Sequence, residues 1–303
     1  MNRRANANVL GQNYADFDLS YRRPYDWQSI LRFYQSHSIT GIERVSEHYF
    51  ERLFRIKQRL GLVRVQAGKN CLSVRVAPEA ECIVTEVKTR VRKMFDLDCD
   101  PRLIVASFGR TPLLKKLCKR FPGLRLPRGW DPFETAICTI LGQLVSAGNR
   151  AALIGQLVQN YGEEIVNPFS GENVRLFPTP QVLAEAELNA VKTTRARRVA
   201  IRDFSRRILK GALSLTDYQE PAALRKALLD TKGIGPWSAE YISMRAVGDT
   251  DAFPRTDLIL NRVLALYPAL DLTAVKPWRS YAAMYLWKAF AQRLSKQRKE
   301  PQP

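Results

Sequence analysis

Cysteine and histidine are scarce in this sequence and widely scattered. Its five cysteines (Cys71, Cys82, Cys99, Cys118 and Cys138) form no Cys-x-x-Cys pair, and its two histidines, His37 and His48, stand apart. That spacing provides no local metal-ligand cluster and predicts reduced thiols in a cytosolic protein rather than a disulfide framework. No apolar run approaches the roughly 20 residues of a membrane-spanning helix, which excludes an integral membrane protein. Arg3 and Arg4 have no apolar core behind them, so no secretory signal is expected. Acidic residues are also in deficit, with 29 Asp+Glu against 48 Lys+Arg, a net charge of +19 and a pI near 10.0. Such an excess suits a polyanionic partner, because each phosphate contact releases condensed counterions. Charge alone leaves DNA, RNA and anionic membrane surfaces open.

At 303 residues with 46% hydrophobic content, the chain is long enough for two or three lobes with real cores. Residues 61–77 alternate through Leu62, Val63 and Val65, turn at Gly68-Lys69-Asn70, and resume through Leu72, Val74 and Val76, which predicts a β-hairpin. Helical rhythm is expected around residues 41–56 and 81–95, making the first ~100 residues an α+β lobe. Pro101 and the Pro- and Gly-rich stretch 122–132 mark a boundary. Beyond it, helices are predicted over residues 133–145, 151–161, 180–187, 195–209, 221–229, 238–247, 258–266 and 278–294. The domain plan is a flexible arm over residues 1–16, an α+β lobe over 17–105, a helical body over 106–295 and a tail over 296–303.

Within the body, the segment 221–247 breaks a helical pattern with Gly233-Ile234-Gly235-Pro236 and then resumes it. Helix, paired glycines, helix is a helix-hairpin-helix pattern. Its glycines permit a tight turn and expose N–H groups at a helix N-terminus, where the macrodipole attracts phosphate. An ordinary αα-hairpin with glycines serving only as cap and turn is the alternative. Asp257 follows a Pro-containing turn and opens the apolar run Leu258-Ile259-Leu260, which is an N-cap position. One carboxylate can both cap a helix and face a cleft. Asp249 and Asp251, in the loop before it, read as solvated turn residues.

These residues resemble the helix-hairpin-helix base-excision DNA glycosylases with a Gly-Pro-Asp-type loop, and within them the bacterial DNA-3-methyladenine glycosylase II group. The likeness runs in order through Pro24-Tyr25-Asp26-Trp27, Phe95-Asp96-Leu97, Gly123-Leu124-Arg125-Leu126-Pro127, Ile140-Leu141-Gly142-Gln143-Leu144-Val145-Ser146, Phe177-Pro178-Thr179-Pro180 and Lys276-Pro277-Trp278-Arg279-Ser280-Tyr281, covering roughly residues 17–295. It implies an α+β fold: an N-terminal antiparallel-sheet lobe like the TATA-binding fold, then a mostly helical body of two subdomains with the site between them. It also implies a monofunctional enzyme that flips an alkylated purine (3-methyladenine or 7-methylguanine type) from duplex DNA and hydrolyses its glycosidic bond.

In that reading Asp257 is the catalytic carboxylate, stabilising an oxocarbenium-like sugar and orienting water. Trp237 stands where bifunctional relatives carry a Schiff-base lysine, so no lyase chemistry is expected there. Trp237, Tyr241, Trp287 and Phe33 would form an aromatic base pocket, in which a cationic base gains ~0.5–2 kcal/mol per ring. As plain helical spacing, the same rings are equally core filler. Leu144 matches the intercalating wedge, Gly233, Gly235 and Lys232 would meet DNA backbone, and Arg195, Arg197, Arg198, Arg206 and Arg262 are candidates to track phosphates. Backbone carbonyls of Leu229, Thr231 and Ile234 are candidates for a structural Na or K ion; no other cofactor is expected. Some relatives hold an iron–sulfur cluster on four cysteines beyond the catalytic region, but no cysteine follows Cys138 here. Leu258 and Lys288 depart from the group, which carries tyrosines there, so two pocket walls are expected to be missing. The expected partner is double-stranded DNA bound by a cytoplasmic, nucleoid-associated monomer. Alternatives are a glycosylase for oxidised or deaminated bases, a non-catalytic damaged-DNA-binding protein, and an RNA-binding protein.

Overall fold

The structure, a computed structural model, describes residues 13–216 and 220–297. Most of the expected N-terminal arm and C-terminal tail lies outside the described residues. Residues 15 and 16, assigned to the arm, begin a strand, and the last helix runs through 297, past the expected start of the tail.

Five strands build the first lobe: β1 (Ala15–Ser20), β2 (Glu43–Val45), β3 (Tyr49–Ile56), β4 (Arg59–Ala67) and β5 (Cys71–Ala77), in the antiparallel order β1-β5-β4-β3-β2. The β4–β5 hairpin pairs Val63 with Val76 and Val65 with Val74, which is the alternation expected from sequence. Helices α1 (Trp27–His37) and α2 (Glu81–Met94) cover one face, and Ile30, Leu31, Tyr34, Phe50, Phe54, Val63, Val74, Val87 and Val91 make a shared core.

The expected helix over 41–56 is instead β2 and β3. Phe50, Leu53 and Phe54 sit at i, i+3, i+4, which mimics a helix. Alternation is lost because β3 is buried on both faces: Phe50, Phe54 and Ile56 enter the main core, while Leu53 joins Phe169 and Leu176 beyond the sheet. Besides α2, which fills the expected 81–95 helix, the lobe has α1, capped by Asp26, whose Oδ1 accepts the Ser29 N–H at 3.0 Å.

Pro101 opens a helix rather than breaking one. In α3 (Pro101–Phe108) and α4 (Pro112–Arg120) proline occupies the first turn, where no N–H is needed. The sequence-based boundary at 105 therefore falls inside α3. The body continues with α5 (Pro132–Leu141), α6 (Ala147–Tyr161), a short β6–β7 hairpin (Glu164–Val166, Asn173–Arg175), α7 (Pro180–Glu185), α8 (Arg195–Leu209), α9 (Pro221–Leu229) and α10 (Pro236–Ile242). A π-helical turn (Ser243–Val247), α11 (Leu258–Leu266) and α12 (Arg279–Gln297) complete it.

The body has two cores. One gathers residues of α5 to α10, among them Ile137, Ile154, Leu183, Phe204, Leu224 and Ala239. The other joins α3 and α4 to α11 and α12 through Phe108, Leu114, Leu260, Tyr281 and Leu286, so the first and last helices of the body form one subdomain. The π-turn contributes to both cores, Ala246 and Val247 to the first and Met244 to the second, so the end of α10 lies at their junction.

Candidate active site

The turn between α9 and α10 carries the expected hairpin. Gly233 adopts φ +80°, and a Cβ there would lie 2.6 Å from the Ala200 Cβ, so both backbone and packing demand glycine. Gly235 differs: its backbone is extended, and a Cβ would meet nothing within 4 Å. Its bareness keeps the N-terminus of α10 open, with Pro236 in the first turn. Lys232 is exposed, and its backbone N–H donates to Asp203 Oδ2 at 3.1 Å.

Leu144, in the loop between α5 and α6, is 96% exposed and held at φ +53°. A bulky residue in the left-handed region is strained, and strain persists where surroundings impose it. The neighbouring Gln143 imposes it here. Its Nε2 donates to the Gly233 carbonyl at 3.1 Å and to Ser238 Oγ at 2.8 Å, and its carbonyl accepts from Arg197. Leu144 and the hairpin are thereby one rigid edge. Arg195, Arg206 and Arg262 are exposed, whereas Arg197 is spent on Gln143 and Arg198 donates to Asn189 at 2.8 Å.

Asp257 is the N-cap of α11: Oδ1 accepts the backbone N–H groups of Ile259 and Leu260, both at 3.0 Å. The same carboxylate receives two indole N–H groups, Trp287 at 3.0 Å on Oδ1 and Trp237 at 3.1 Å on Oδ2. Capping and cleft-facing thus coexist in one half-buried group. Four N–H donors fix its orientation. The loop before it is not held by solvated turn residues as expected. Arg225 bridges Glu240 and Asp249, Arg279 grips both oxygens of Asp251 at 2.8 and 2.7 Å, and Glu240 Oε2 accepts the Phe253 N–H at 2.8 Å.

The predicted pocket rings converge beside Asp257. Trp237 and Tyr241 stack on each other with centroids 4.9 Å apart and planes 13° off parallel, while Trp287 meets Tyr241 edge-on at 6.3 Å. At 4.9 Å no base fits between the stacked pair, so only their outer faces can receive one. Phe33 enters from α1 and stacks on His37 at 4.1 Å. Sequence reasoning missed what lies among these rings. The Arg245 guanidinium, 3% exposed, sits 4.5 Å from the Phe33 ring, 5.4 Å from Tyr241 and 5.7 Å from Trp287. Trp237, Tyr241 and Arg245 are spaced by four, a signal that put all three on one helix face.

Behind Arg245 a cavity of about 60 Å³ runs between the lobes, lined by Tyr34, His37, Glu43, Arg52, Glu134 and Arg150 among others. Arg52 binds Glu43 and Glu134, each at 2.5 Å, which joins β3 to the start of α5. Burial raises the Glu134 carboxyl above its ordinary range, against the pull of Arg52. Burial, reinforced by Arg150, pushes His37 down to about 3, so it is neutral near pH 7. Lys288 turns toward α1. It reaches Asp26 Oδ2 at 2.5 Å and Ser29, tying α12 to α1. Burial disfavours the Asp26 carboxylate, but Lys288 and Ser29 outweigh it and hold its pKa below the usual value. Leu258 is exposed at the first turn of α11. Among the described residues no cluster of His, Cys, Asp and Glu is placed to hold a metal ion, and no helix is long and apolar enough to cross a membrane.

Comparison with known proteins agrees with this architecture. The family model described as AlkA N-terminal domain matches residues 16–131. The chain is 31% identical over 280 residues to DNA-3-methyladenine glycosylase 2 of Escherichia coli (strain K12), covering 89% of this chain and 96% of that protein. It is 30% identical over 277 residues to the probable bifunctional transcriptional activator/DNA repair enzyme AlkA of Mycobacterium tuberculosis, spanning 56% of that longer protein. In three dimensions it superposes on a 3-methyladenine DNA glycosylase from Archaeoglobus fulgidus with a TM-score of 0.75 at 17% identity, covering 91% of this chain and 98% of the other, a likeness of fold. With identity of this extent running the length of the Escherichia coli protein, the chain belongs to the DNA-3-methyladenine glycosylase II family.

Proposed function

We infer that this protein is a monofunctional DNA glycosylase of base excision repair, which flips an alkylated purine out of duplex DNA and hydrolyses its N-glycosidic bond. The observation that carries this reading is Asp257, a carboxylate oriented by four N–H donors beside an aromatic cluster. As the bond between C1′ and the base breaks, its electron pair leaves with the base and positive charge grows on the sugar. The Asp257 carboxylate stabilises that charge and takes the proton of the water that attacks C1′. Alkylation at N3 of adenine or N7 of guanine makes the base cationic, which weakens the bond in advance.

Trp237 and Lys232 set the limits of the chemistry. An indole has no nucleophilic amine, so Trp237 forms no Schiff base, and Lys232 is an exposed hairpin residue suited to a phosphate. Leu144 supplies the wedge that fills the gap left by the extruded base. The N–H groups at the start of α10 grip the backbone, with bare Gly235 allowing close approach. The backbone carbonyls of Leu229, Thr231 and Ile234 belong to the turn that follows α9, which ends at Leu229. Their partial negative charge and oxygen donors suit a monovalent cation, which would sharpen the phosphate grip. The net charge of +19 favours the DNA polyanion, which supports a cytoplasmic protein working on the nucleoid.

Incubation with methylated duplex DNA, followed by chromatography of released bases and a strand-nicking assay, tests this reading. Free 3-methyladenine or 7-methylguanine without enzyme-dependent β-elimination is expected. DNA binding with no released base would instead favour the damaged-DNA-binding alternative.

A further inference from the structure

Asp257 sits where the two cores of the helical body meet. The helix it caps, α11, packs through Leu260 and Val263 into the core that also holds α12, whereas α10 gives Ala239 and Ile242 to the other core. Its bonds from Ile259, Leu260 and Trp287 therefore stay within one subdomain, and only the Trp237 N–H reaches it from the other. One hydrogen bond is a weak constraint on the spacing of two packed bodies.

A second tie crosses the same junction. Glu240 lies on α10 three residues after Trp237, and its Oε2 accepts the Phe253 N–H at 2.8 Å. Phe253 and Ala252 are buried in the core of α11 and α12. The Pro254 carbonyl, next in the chain, accepts the Asp257 N–H at 2.9 Å. A closed ring results: α10 holds Phe253 through Glu240, Phe253 leads through Pro254 to Asp257, and Asp257 returns to α10 through Trp237. Arg225 of α9 orients the Glu240 carboxylate by donating to its Oε1 at 2.9 Å, and it also holds Asp249 at the head of the loop. From the α12 side, Ser280 Oγ lies 2.7 Å from both the Asp249 and the Ala252 carbonyl oxygens, which leaves the loop little freedom between its anchors.

We propose that Glu240 is a positioning residue for Asp257: through the Phe253 N–H it fixes, across the subdomain junction, the distance between the carboxylate and the ring faces that α10 presents. The reaction depends on that distance. A base stacked on Trp237 or Tyr241 is carried by α10, while its C1′ must lie against a carboxylate carried by α11, and a misplacement of about 1 Å costs on the order of a hundredfold in rate. What the tie requires of Glu240 is an acceptor oxygen at the Phe253 N–H, not a charge. This inference rests on the proposed glycosylase reaction, which defines what the spacing serves.

The test separates the acceptor from the charge. E240Q and E240M are nearly isosteric and equally uncharged, but only the Gln amide oxygen keeps the Phe253 bond, with Arg225 retained by Asp249. Single-turnover release of 3-methyladenine from methylated duplex is measured at saturating enzyme, so that DNA affinity does not enter. E240M is expected to be slower than the wild type by about tenfold or more, and E240Q to stay within about threefold. In a D257N background E240M should cost no more than about threefold further, because it acts through Asp257. Equal rates in E240M and E240Q, or the same E240M loss with and without Asp257, overturn the proposal. A second readout needs no turnover. The proton–nitrogen correlation signal of the Trp237 indole, identified by its loss in W237F, is expected to move in E240M toward its D257N position and to stay in place in E240Q. An unmoved signal in E240M also overturns the proposal. The Glu240 side chain is 25% exposed and Met is a good helix former, so E240M should fold; E240A, measured in the same way, replaces it if it does not. If the wild type releases no base at all, the proposed function fails, and the indole signal still decides the role of Glu240.

Discussion

Replacing Asp257 with asparagine separates chemistry from structure. An Asn amide oxygen in the Oδ1 place keeps the bonds from Ile259, Leu260 and Trp287, and Asn caps a helix about as well as Asp. Its NH₂ then faces the Trp237 N–H, now 3.1 Å from another donor, which leaves one half-buried donor unmatched at a cost of about 1 kcal/mol. The fold should therefore survive D257N almost unchanged.

The rate should not survive. A full charge about 4 Å from a developing oxocarbenium, at an effective dielectric near 20, contributes about 4 kcal/mol. Losing it slows bond cleavage roughly 10³-fold. The measurement is single-turnover release of 3-methyladenine from methylated DNA with enzyme in excess, so that binding does not limit the rate. DNA affinity, measured separately, should hold steady or rise, since a negative charge has been removed from a polyanion-binding face. A D257N rate within about tenfold of wild type would refute the assignment, and the aspartate would then be a helix cap alone.

Leu144→Ala should leave stability within about 0.5 kcal/mol, because the side chain is 96% exposed, yet reduce base release from duplex far more than from single-stranded substrate. Equal losses on both substrates would count against a wedge. The two hairpin glycines should part company. Gly233→Ala meets a positive φ and the Ala200 Cβ, so urea denaturation should show a loss of about 1–3 kcal/mol. Gly235→Ala should fold normally and weaken DNA binding in a gel-shift titration. Asp96 provides a pH signature: burial raises its carboxyl to about 6, while bonds from the Leu126 N–H and the Tyr281 hydroxyl, both 2.9 Å, partly offset this. Its folded pKa lies above the unfolded value near 3.9, so the native state binds more protons between about pH 4 and 6 and stability falls as pH rises through that window. Asp96→Asn, which suits the φ of +54°, should flatten that slope and stabilise the protein at pH 8 by on the order of 3 kcal/mol in denaturant titrations.

Local chemistry was legible in the sequence where the backbone itself demanded a residue type. Helices α8, α9 and α11 begin where Thr194, Pro221 and Asp257 signal a first turn, and their predicted limits match the observed ones. The β4–β5 hairpin was legible because its main-core residues, Val63, Val65, Leu72, Val74 and Val76, alternate along both strands. The strand β3 was not, since burial on both faces removes the alternation that distinguishes strand from helix. Helices α3 and α4 were hidden by their own first-turn prolines, which read as breaks until something shows which side of them is helical.

The same division runs through the site. Asp257, Trp237 and Tyr241 could be singled out because a cap position and an i, i+4 spacing are properties of one short segment. Arg245 shares that spacing, but an arginine on a helix face ordinarily reads as solvated charge, and its burial depends on Phe33 from α1, Pro127 from a distant loop and Trp287 from α12. The Arg225 and Arg279 pairs that hold the loop before Asp257 are hidden in the same way, because their partners lie 15 to 28 residues away. What escaped the sequence is thus one class of residue: cations whose neighbours come from other elements. In a protein with this much positive charge an arginine on a helix face reads as surface, which is why composition points to DNA while concealing the buried Arg245 among the rings beside Asp257.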